Sequence, residues 1–187
     1  MANPDLRPEK SSSRELSVRS DAKSALRWRL TAFDNRIDDL IAYVFPTVEN
    51  VKRARIRGLE ATVDAAWLGV RWRATLAAQR PRDEDTGKLL QGRAQRFGTF
   101  EAAYGLREWT LAAGLSASGE RFDSTNESAD SRLPGYATVF ARASYRLDRK
   151  WALELTAANL FDKRYESAVG YDAPRRSVFL NLRFDTN

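Results

Sequence analysis

The feature that most constrains this chain is a strict alternation of apolar and polar residues near its end. The apolar positions are Trp151, Leu153, Leu155 and Ala157 in one stretch and Val178, Leu180, Leu182 and Phe184 in the next. Since successive side chains of a strand point to opposite sides, a period of two predicts β-strands with one apolar face. Each stretch has the length of about 10 residues that a tilted strand needs to cross a bilayer.

The same alternation recurs along the chain and predicts nine antiparallel strands. Their connections alternate between short turns, such as Leu68-Gly69, and long polar loops. The long loops are expected around residues 45–50, 81–88 and 122–134 and after Tyr165. Gly58 interrupts the alternation and predicts a bulge. This rhythm is typical of transmembrane barrels, and the fold class we expect is all-β, an antiparallel transmembrane β-barrel segment. The alternative is a soluble β-protein with one solvated face.

Composition limits the other classes of protein. Of the 187 residues 30% are charged, and no stretch approaches the ~18 consecutive apolar residues of a membrane helix. The absence of cysteine and histidine excludes disulfides, thiol catalysis and the common zinc sites. The acidic run 83–85 lacks the spacing of a calcium loop, so we expect a solvated loop, no metal and no cofactor. The net charge of +6 is spread over strands and loops, which argues against a nucleic-acid partner.

The tryptophans share one predicted level. All of them lie within a few residues of a short turn, at Trp28, Trp67, Trp72, Trp109 and Trp151. Indole rings prefer the membrane interface, where an apolar body and an N–H donor are both accommodated. We therefore expect a membrane-interface girdle at the short-turn end. The alternative, tryptophans that fill the core of a soluble protein, does not explain why they share one level.

Several segments resemble TonB-dependent outer-membrane receptors. Asn159 to Tyr165, followed by Gly170-Tyr171, Pro174 and Arg176, resembles their C-terminal end, and Asn3 to Glu9 resembles a motif in an extracellular loop. The resemblance implies that residues 1–187 are the C-terminal β-barrel portion of a longer receptor, with the plug domain, the N-terminal strands and the TonB box outside it. The N-terminus has no apolar signal segment, so we expect export as part of a longer precursor.

The resemblance also implies a function. It predicts a protein of the Gram-negative cell outer membrane that contacts lipid and the TonB energy-transducing complex and imports a scarce, bulky small molecule. The cobalamin receptors are resembled most by four segments in combination, Phe33 to Ile41, Ala54 to Glu60, Gly119 to Asp123, and Asn159 to Tyr165 with Gly170-Tyr171. Siderophore receptors share all of these except Gly119 to Asp123, so the choice depends largely on that segment. The alternatives are a ferric-siderophore receptor and a passive or nonfunctional barrel fragment.

The candidate ligand-binding residues are in the predicted loops: Tyr43, Phe45, Phe122, Asn126, Tyr165 and Tyr171. Tyr165 and Tyr171 belong to the C-terminal pattern of the family, so an architectural role is the alternative for both. The sequence contains no nucleophile and base constellation, and we predict no enzymatic activity.

Overall fold

A computed structural model describes residues 3–21, 24–44 and 46–185. These residues form a nine-stranded antiparallel sheet in the order β1-β2-β3-β4-β5-β6-β9-β10-β13, as the alternation predicts. Its strands are β1 (Lys10–Arg19), β2 (Leu26–Val44), β3 (Thr47–Trp67), β4 (Val70–Asp83), β5 (Arg96–Leu106), β6 (Trp109–Ser118), β9 (Tyr136–Arg146), β10 (Trp151–Ala158) and β13 (Ser177–Phe184). Two short hairpins lie in the connections, β7 (Arg121–Phe122) with β8 (Arg132–Leu133), and β11 (Glu166–Ala168) with β12 (Tyr171–Asp172). A 3-10 turn covers Ala129–Ser131.

Cross-strand pairing joins the predicted apolar positions into one continuous apolar face. Leu155 pairs with Ala143 on β9 and with Leu180 on β13. Residues directly opposite in a ladder share a face, so the same side continues through Leu111 and Tyr104 to Val70. Its large side chains are exposed, Leu155 by 47% and Leu180 by 66%, because no second layer covers them.

The opposite, polar face carries ion pairs and hydrogen bonds between neighbouring strands. Arg142 on β9 contacts Glu101 at 3.0 Å, and Arg73 on β4 contacts Asp64 on β3 at 2.7 Å. Ser144 and Glu154 are joined at 3.0 Å between Oγ and Oε2. The two faces therefore differ in polarity, as in a strand that separates lipid from a lumen.

Short turns join the strands at one end of the sheet. Leu68 and Gly69 both have positive φ, 52° and 75°, the backbone of a tight hairpin turn that matches the twist of its strands. Arg107 also has positive φ, at 55°, in the connection from β5 to β6. The predicted reversal at Leu68-Gly69 is confirmed. Among the residues that the structure describes, no helix is both long and apolar enough to cross a membrane.

The predicted loop at 45–50 is wrong. β2 continues to Val44 and β3 begins at Thr47, and Ile41 pairs with Asn50. The connection is therefore a hairpin tip, and Asn50 is a strand residue. In the same way β4 extends to Asp83, which moves the start of the next loop beyond Pro81.

The predicted bulge at Gly58 is also wrong. The pairs Ala32 with Leu59, Phe33 with Gly58 and Asp34 with Arg57 follow one another without an extra residue. Glycine is instead required by close packing, because a Cβ here would lie 2.4 Å from the carbonyl oxygen of Ala78. The break in the pattern marks a close approach of backbone, which is the other reason for glycine in a strand.

A small apolar cluster lies on the polar face near the long-loop end. Ala54, Ile56 and Leu90 are buried, with Phe33, Ile37 and Leu40 packed against them. Leu90 comes from the connection after β4, and its backbone N–H donates to the carbonyl of Pro81 at 3.0 Å. This cluster fixes that connection against the sheet.

Candidate ligand-binding loops

The long connections lie at the end of the sheet opposite the short turns. They are residues 84–95 between β4 and β5, 119–135 between β6 and β9, and 159–176 between β10 and β13. Antiparallel neighbours place alternate connections at the same end, so these three loops are adjacent in space. We refer to them as loops A, B and C in chain order.

Loops A and B are joined by backbone and side-chain hydrogen bonds. The N–H of Gly92 donates to the carbonyl of Phe122 at 2.8 Å, and Nε2 of Gln91 donates to the carbonyl of Asp123 at 2.9 Å. Nζ of Lys88 donates to the carbonyl of Asn126 at 3.2 Å. The carboxylate of Glu127 accepts from the N–H of Leu89.

Loops B and C are joined around Arg121. This arginine is buried, and its Nη2 donates to the carbonyls of Glu166 and Ser167, both at 2.9 Å. Oδ2 of Asp123 accepts from the N–H of Val169 at 2.8 Å. A buried guanidinium with two carbonyl acceptors is a strong positional contact, because hydrogen bonds from a charged donor are stronger than those between neutral groups. The three loops thus form one connected layer.

Two aromatic rings reinforce this layer beside Arg121. Tyr165 of loop C stacks on Tyr136 at the start of β9, with ring centroids 3.8 Å apart and planes 16° from parallel. Cζ of Arg121 lies 5.7 Å from the centroid of Tyr136, within reach of a cation–π interaction. Burial raises the pKa of the Tyr165 phenol, with Tyr136 adding to the shift and Arg121 opposing it. The phenol therefore stays neutral and keeps its O–H as a hydrogen-bond donor at ordinary pH.

The base of loop C is built by two residues of the Asn159 to Tyr165 segment. Asn159 is buried with φ of 49°, and its Nδ2 donates to the carbonyls of Lys163 at 2.9 Å and Pro174 at 3.3 Å. Oδ1 of Asn159 accepts from the N–H of Lys163 at 2.9 Å. The segment from Asn159 to Tyr165 therefore determines the conformation of the base of loop C.

Asp162 closes the same loop through charge. Its carboxylate accepts from the guanidinium of Arg175 on two oxygens and from the N–H of Arg176 at 3.0 Å. These hydrogen bonds, with that from Arg175 the largest contribution, hold the pKa of Asp162 well below its usual range. The bidentate geometry fixes the returning chain just before β13.

The predicted binding residues are distributed unevenly. Phe122 and Tyr165 are half-buried inside the loop layer, and the amide of Asn126 accepts from Ser124 and Ser128 within loop B. Tyr171 is 71% exposed in loop C, free to contact a ligand. Tyr43 lies in the β2–β3 hairpin, paired with Val48, and Phe45 lies outside the described residues.

Sequence reasoning missed Arg121 and Tyr136. An arginine near a loop is ordinarily solvated, so nothing in its immediate sequence indicates burial. The available signal is that Arg121 falls within Gly119 to Asp123, the segment most like the cobalamin receptors.

The acidic run 83–85, which begins at the last residue of β4, stabilises the fold. Oδ1 of Asp83 accepts from the backbone N–H groups of Asp85 and Thr86, at 2.8 and 3.1 Å. Asp85 pairs with Arg53 at 2.9 Å. In the part of the chain that the structure describes, no group of three or more acidic, histidine or cysteine side chains is arranged to hold a metal ion.

The five tryptophans lie on the apolar face towards the short turns. Trp67 pairs with Val70 across the Leu68-Gly69 turn, and Trp72 pairs with Ala65. Three of the rings are tilted against aromatic neighbours, Trp72 on Phe100, Trp109 on Tyr145 and Trp151 on Phe184, with centroids 4.6–5.7 Å apart. Their predicted role as a membrane-interface girdle stays a prediction.

Comparison with known proteins agrees with this architecture. The family model of TonB dependent receptor-like β-barrels matches residues 1–160. The chain belongs to the TonB-dependent receptor β-barrel family. Over 97% of its length it is 30% identical to the vitamin B12 transporter BtuB of Vibrio cholerae serotype O1 and 27% identical to that of Photobacterium profundum. It spans 30% and 31% of the length of those two proteins.

Solved receptor structures share the fold at lower identity. The ferric enterobactin receptor PfeA of Pseudomonas aeruginosa superposes with a TM-score of 0.77 at 20% identity, over 96% of this chain and 31% of that chain. The copper transporter OprC gives a TM-score of 0.78 at 18% identity, over 96% of this chain and 32% of that chain. The sheet is therefore a portion of an outer-membrane receptor barrel, and the predicted fold class is confirmed.

Proposed function

We propose that this chain is the C-terminal part of the barrel of an outer-membrane transporter, and that loops A, B and C help to bind its extracellular substrate, cobalamin. The observation that carries the proposal is the single hydrogen-bonded layer that these loops form at one end of the sheet. Loops positioned by a rigid scaffold are where binding residues concentrate. A transport role follows the family, which consists of receptors and transporters.

The orientation of the sheet supports the placement of this layer outside the cell. The opposite end has short turns and apolar-face tryptophans, a combination expected at the periplasmic interface. The segment from Asn3 to Glu9 also lies at the loop end. Nδ2 of Asn3 donates to the carbonyl of Val48, and the N–H of Arg7 donates to Oδ1 of Asn50, both at 2.8 Å.

The choice of cobalamin rests on sequence similarity to the vitamin B12 transporters. The chemistry of the loop layer is compatible with that choice. A corrinoid is large and amphipathic, and the layer offers the exposed ring of Tyr171 in loop C and the Ser, Asp and Asn side chains of loop B. Energy for uptake would come from the TonB complex through a plug domain in the whole receptor.

Uptake by the full-length receptor tests this function. The receptor is expressed in a strain that lacks its own cobalamin importer, and labelled cobalamin and labelled ferric chelates are offered separately. We expect cobalamin uptake that disappears when TonB is deleted. Uptake of an iron chelate alone would assign the siderophore alternative, and uptake that persists without TonB would indicate a passive barrel. Equal receptor levels in outer-membrane fractions are the control.

A further inference from the structure

The polarity of the two faces of the sheet reverses towards the long-loop end of β1–β4. One row of directly opposed residues on the apolar face consists of Leu16, Ala32, Leu59 and Ala78. Two residues further along each strand, the same face carries Arg14, Asp34, Arg57 and Arg80, and after two more it carries Ser12, Arg36, Arg55 and Arg82. The other face is apolar at this level, where Ile56 and Ala54 are buried. The face that is apolar along most of the strands therefore becomes cationic at the long-loop end of the sheet. We call this face the outer face.

We call Arg14, Arg36, Arg55, Arg57, Arg80 and Arg82 the arginine patch. The carboxylates nearest to the patch both contact Arg55. Its guanidinium donates two hydrogen bonds to Asp34, at 2.6 and 2.7 Å, and lies 3.8 Å from the carboxylate of Glu84. Arg57 lies directly opposite Arg80 on one side and Asp34 on the other, and Asp34 is held by Arg55. Within the described part of the chain neither Arg57 nor Arg80 forms an ion pair, so their mutual repulsion is only partly offset. Like charges directly opposite on a sheet are destabilising, so an external anion would relieve this repulsion.

The patch also has the shape of a binding site. Arg55, Arg57, Arg80 and Arg82 surround a cleft of about 240 Å³ together with Asp83, Glu84 and Gly87. Guanidinium groups bind phosphate with two parallel hydrogen bonds and are weakly hydrated, which suits them to a membrane surface. The stems of these side chains can lie along neighbouring apolar surface while the charged ends reach the headgroups.

An apolar furrow continues from the patch down the same face. Its volume is about 630 Å³, and small residues at Ala61, Gly98 and Ala117 form its floor between Leu59, Leu76 and Phe100. Arg96, the first residue of β5, lines the furrow at the end nearest to the long loops. A cationic cleft above an apolar furrow matches a lipid with a phosphorylated headgroup and a long acyl chain.

We propose that the outer face of β2–β5 binds a phosphorylated glycolipid of the outer leaflet. Arg57 and Arg80 contact its phosphates, and the furrow beside Gly98 receives an acyl chain. The cleft borders loop A through Glu84 and Gly87, whereas Arg57 and Arg80 lie on β3 and β4, outside the hydrogen bonds that join the three loops. The inference rests on the outer-membrane placement in the proposed function and is independent of the substrate.

Lipid binding by the purified full-length receptor tests the inference. Native mass spectrometry in a nonionic detergent measures adducts with bisphosphorylated lipid A, with the dephosphorylated lipid of the same acyl chains, and after addition of inorganic phosphate. We expect preferential binding of the bisphosphorylated lipid, little competition by millimolar phosphate, and about a tenfold or larger loss of affinity in R57Q/R80Q. R27Q/R29Q is the matched control, because it removes the same charge from the polar face of β2.

Three results would overturn the inference. They are equal binding of the dephosphorylated lipid, unchanged affinity in R57Q/R80Q, and an equal loss in R27Q/R29Q. If R57Q/R80Q does not reach the folded, heat-modifiable form, R57K/R80K is measured in its place. That variant keeps the charge and removes the bidentate contact, so unchanged lipid affinity in R57K/R80K would also contradict the proposal. Cobalamin uptake measured in parallel separates this test from that of the proposed function, because a receptor without cobalamin uptake can still bind the lipid.

Discussion

Gly58 shows how one absent side chain lets neighbouring strands approach. A Cβ at this position would lie 2.4 Å from the carbonyl oxygen of Ala78 and 2.9 Å from Cα of Gln79. Both atoms belong to the backbone of β4, so they cannot rotate away, and Cζ of Phe33 is 2.9 Å away on the other side. The β3–β4 ladder would have to shift to accept even a methyl group.

We therefore predict that G58A destabilises the full-length receptor by about 1–3 kcal/mol, the range of overpacking in a close-packed interior. G105A is the matched control, because a Cβ at Gly105 meets no atom within 4 Å. There the loss of backbone freedom in the unfolded chain makes alanine neutral or slightly stabilising. Urea unfolding of both variants in detergent micelles checks the difference, and equal stabilities would contradict the close-packing explanation.

The sequence indicated that Gly58 is special but gave the wrong reason. A glycine that breaks an alternating pattern fits a bulge and a close backbone approach equally well. Only the cross-strand partner distinguishes the two, and Gln79 lies 21 positions away in the sequence. Arg121 is similar, since its acceptors, the carbonyls of Glu166 and Ser167, come from another loop. Local pattern carries no information about such contacts.

At the scale of the strand, the face assignment of β10 gives a paired prediction. Leu155 lies on the apolar face between Ala143 and Leu180, and Thr156 points to the other side between Arg142 and Phe179. If the apolar face contacts lipid near the bilayer midplane, L155R should cost roughly 2–4 kcal/mol, whereas T156R, on the lumen side, should cost much less.

Folding of the full-length receptor into lipid vesicles measures both variants, with band shift on unheated gels as the readout. The comparison needs no absolute value, because the two positions are neighbours on one strand and receive the same side chain. Comparable losses at Leu155 and Thr156 would show that the facing is wrong.

Alternation alone predicted strands only where the outer face is apolar, whereas the family resemblance indicated strands at Asp34 to Tyr43 and Ala54 to Glu60, which the structure confirms. From Leu26 to Ala32 and from Leu59 to Trp67 the alternation is clear, and those segments are strands. Beyond Asp34 the charged residues occupy the outer face, so polarity no longer distinguishes a strand from a loop. The β2–β3 hairpin nevertheless continues to Val44, because backbone pairing extends the ladder and the apolar side chains at its base, Ile37 and Ala54 among them, lie on the opposite face.

At the scale of the whole molecule, the sheet has two open edges. β1 and β13 each have one neighbour, and with nine antiparallel strands in order they run in the same direction. Two such strands cannot close a purely antiparallel barrel against each other. Their unpaired N–H and C=O groups would meet lipid, where each unsatisfied group costs several kcal/mol.

We predict that the 187-residue polypeptide expressed by itself does not form a closed barrel in a membrane. Each edge needs a partner strand, and the relatives that match this chain are about three times its length, with ample sequence for the remaining strands. Export of the polypeptide behind a bacterial signal sequence, followed by outer-membrane fractionation and electrophoresis with and without heating, measures closure. We expect degradation or aggregates without a heat-modifiable band, and the full-length receptor serves as the positive control. A stable heat-modifiable band at the size of the monomer would contradict the requirement for partner strands. A heat-modifiable band at the size of a dimer would contradict it as well, because two copies in the same orientation also present edges that run in the same direction.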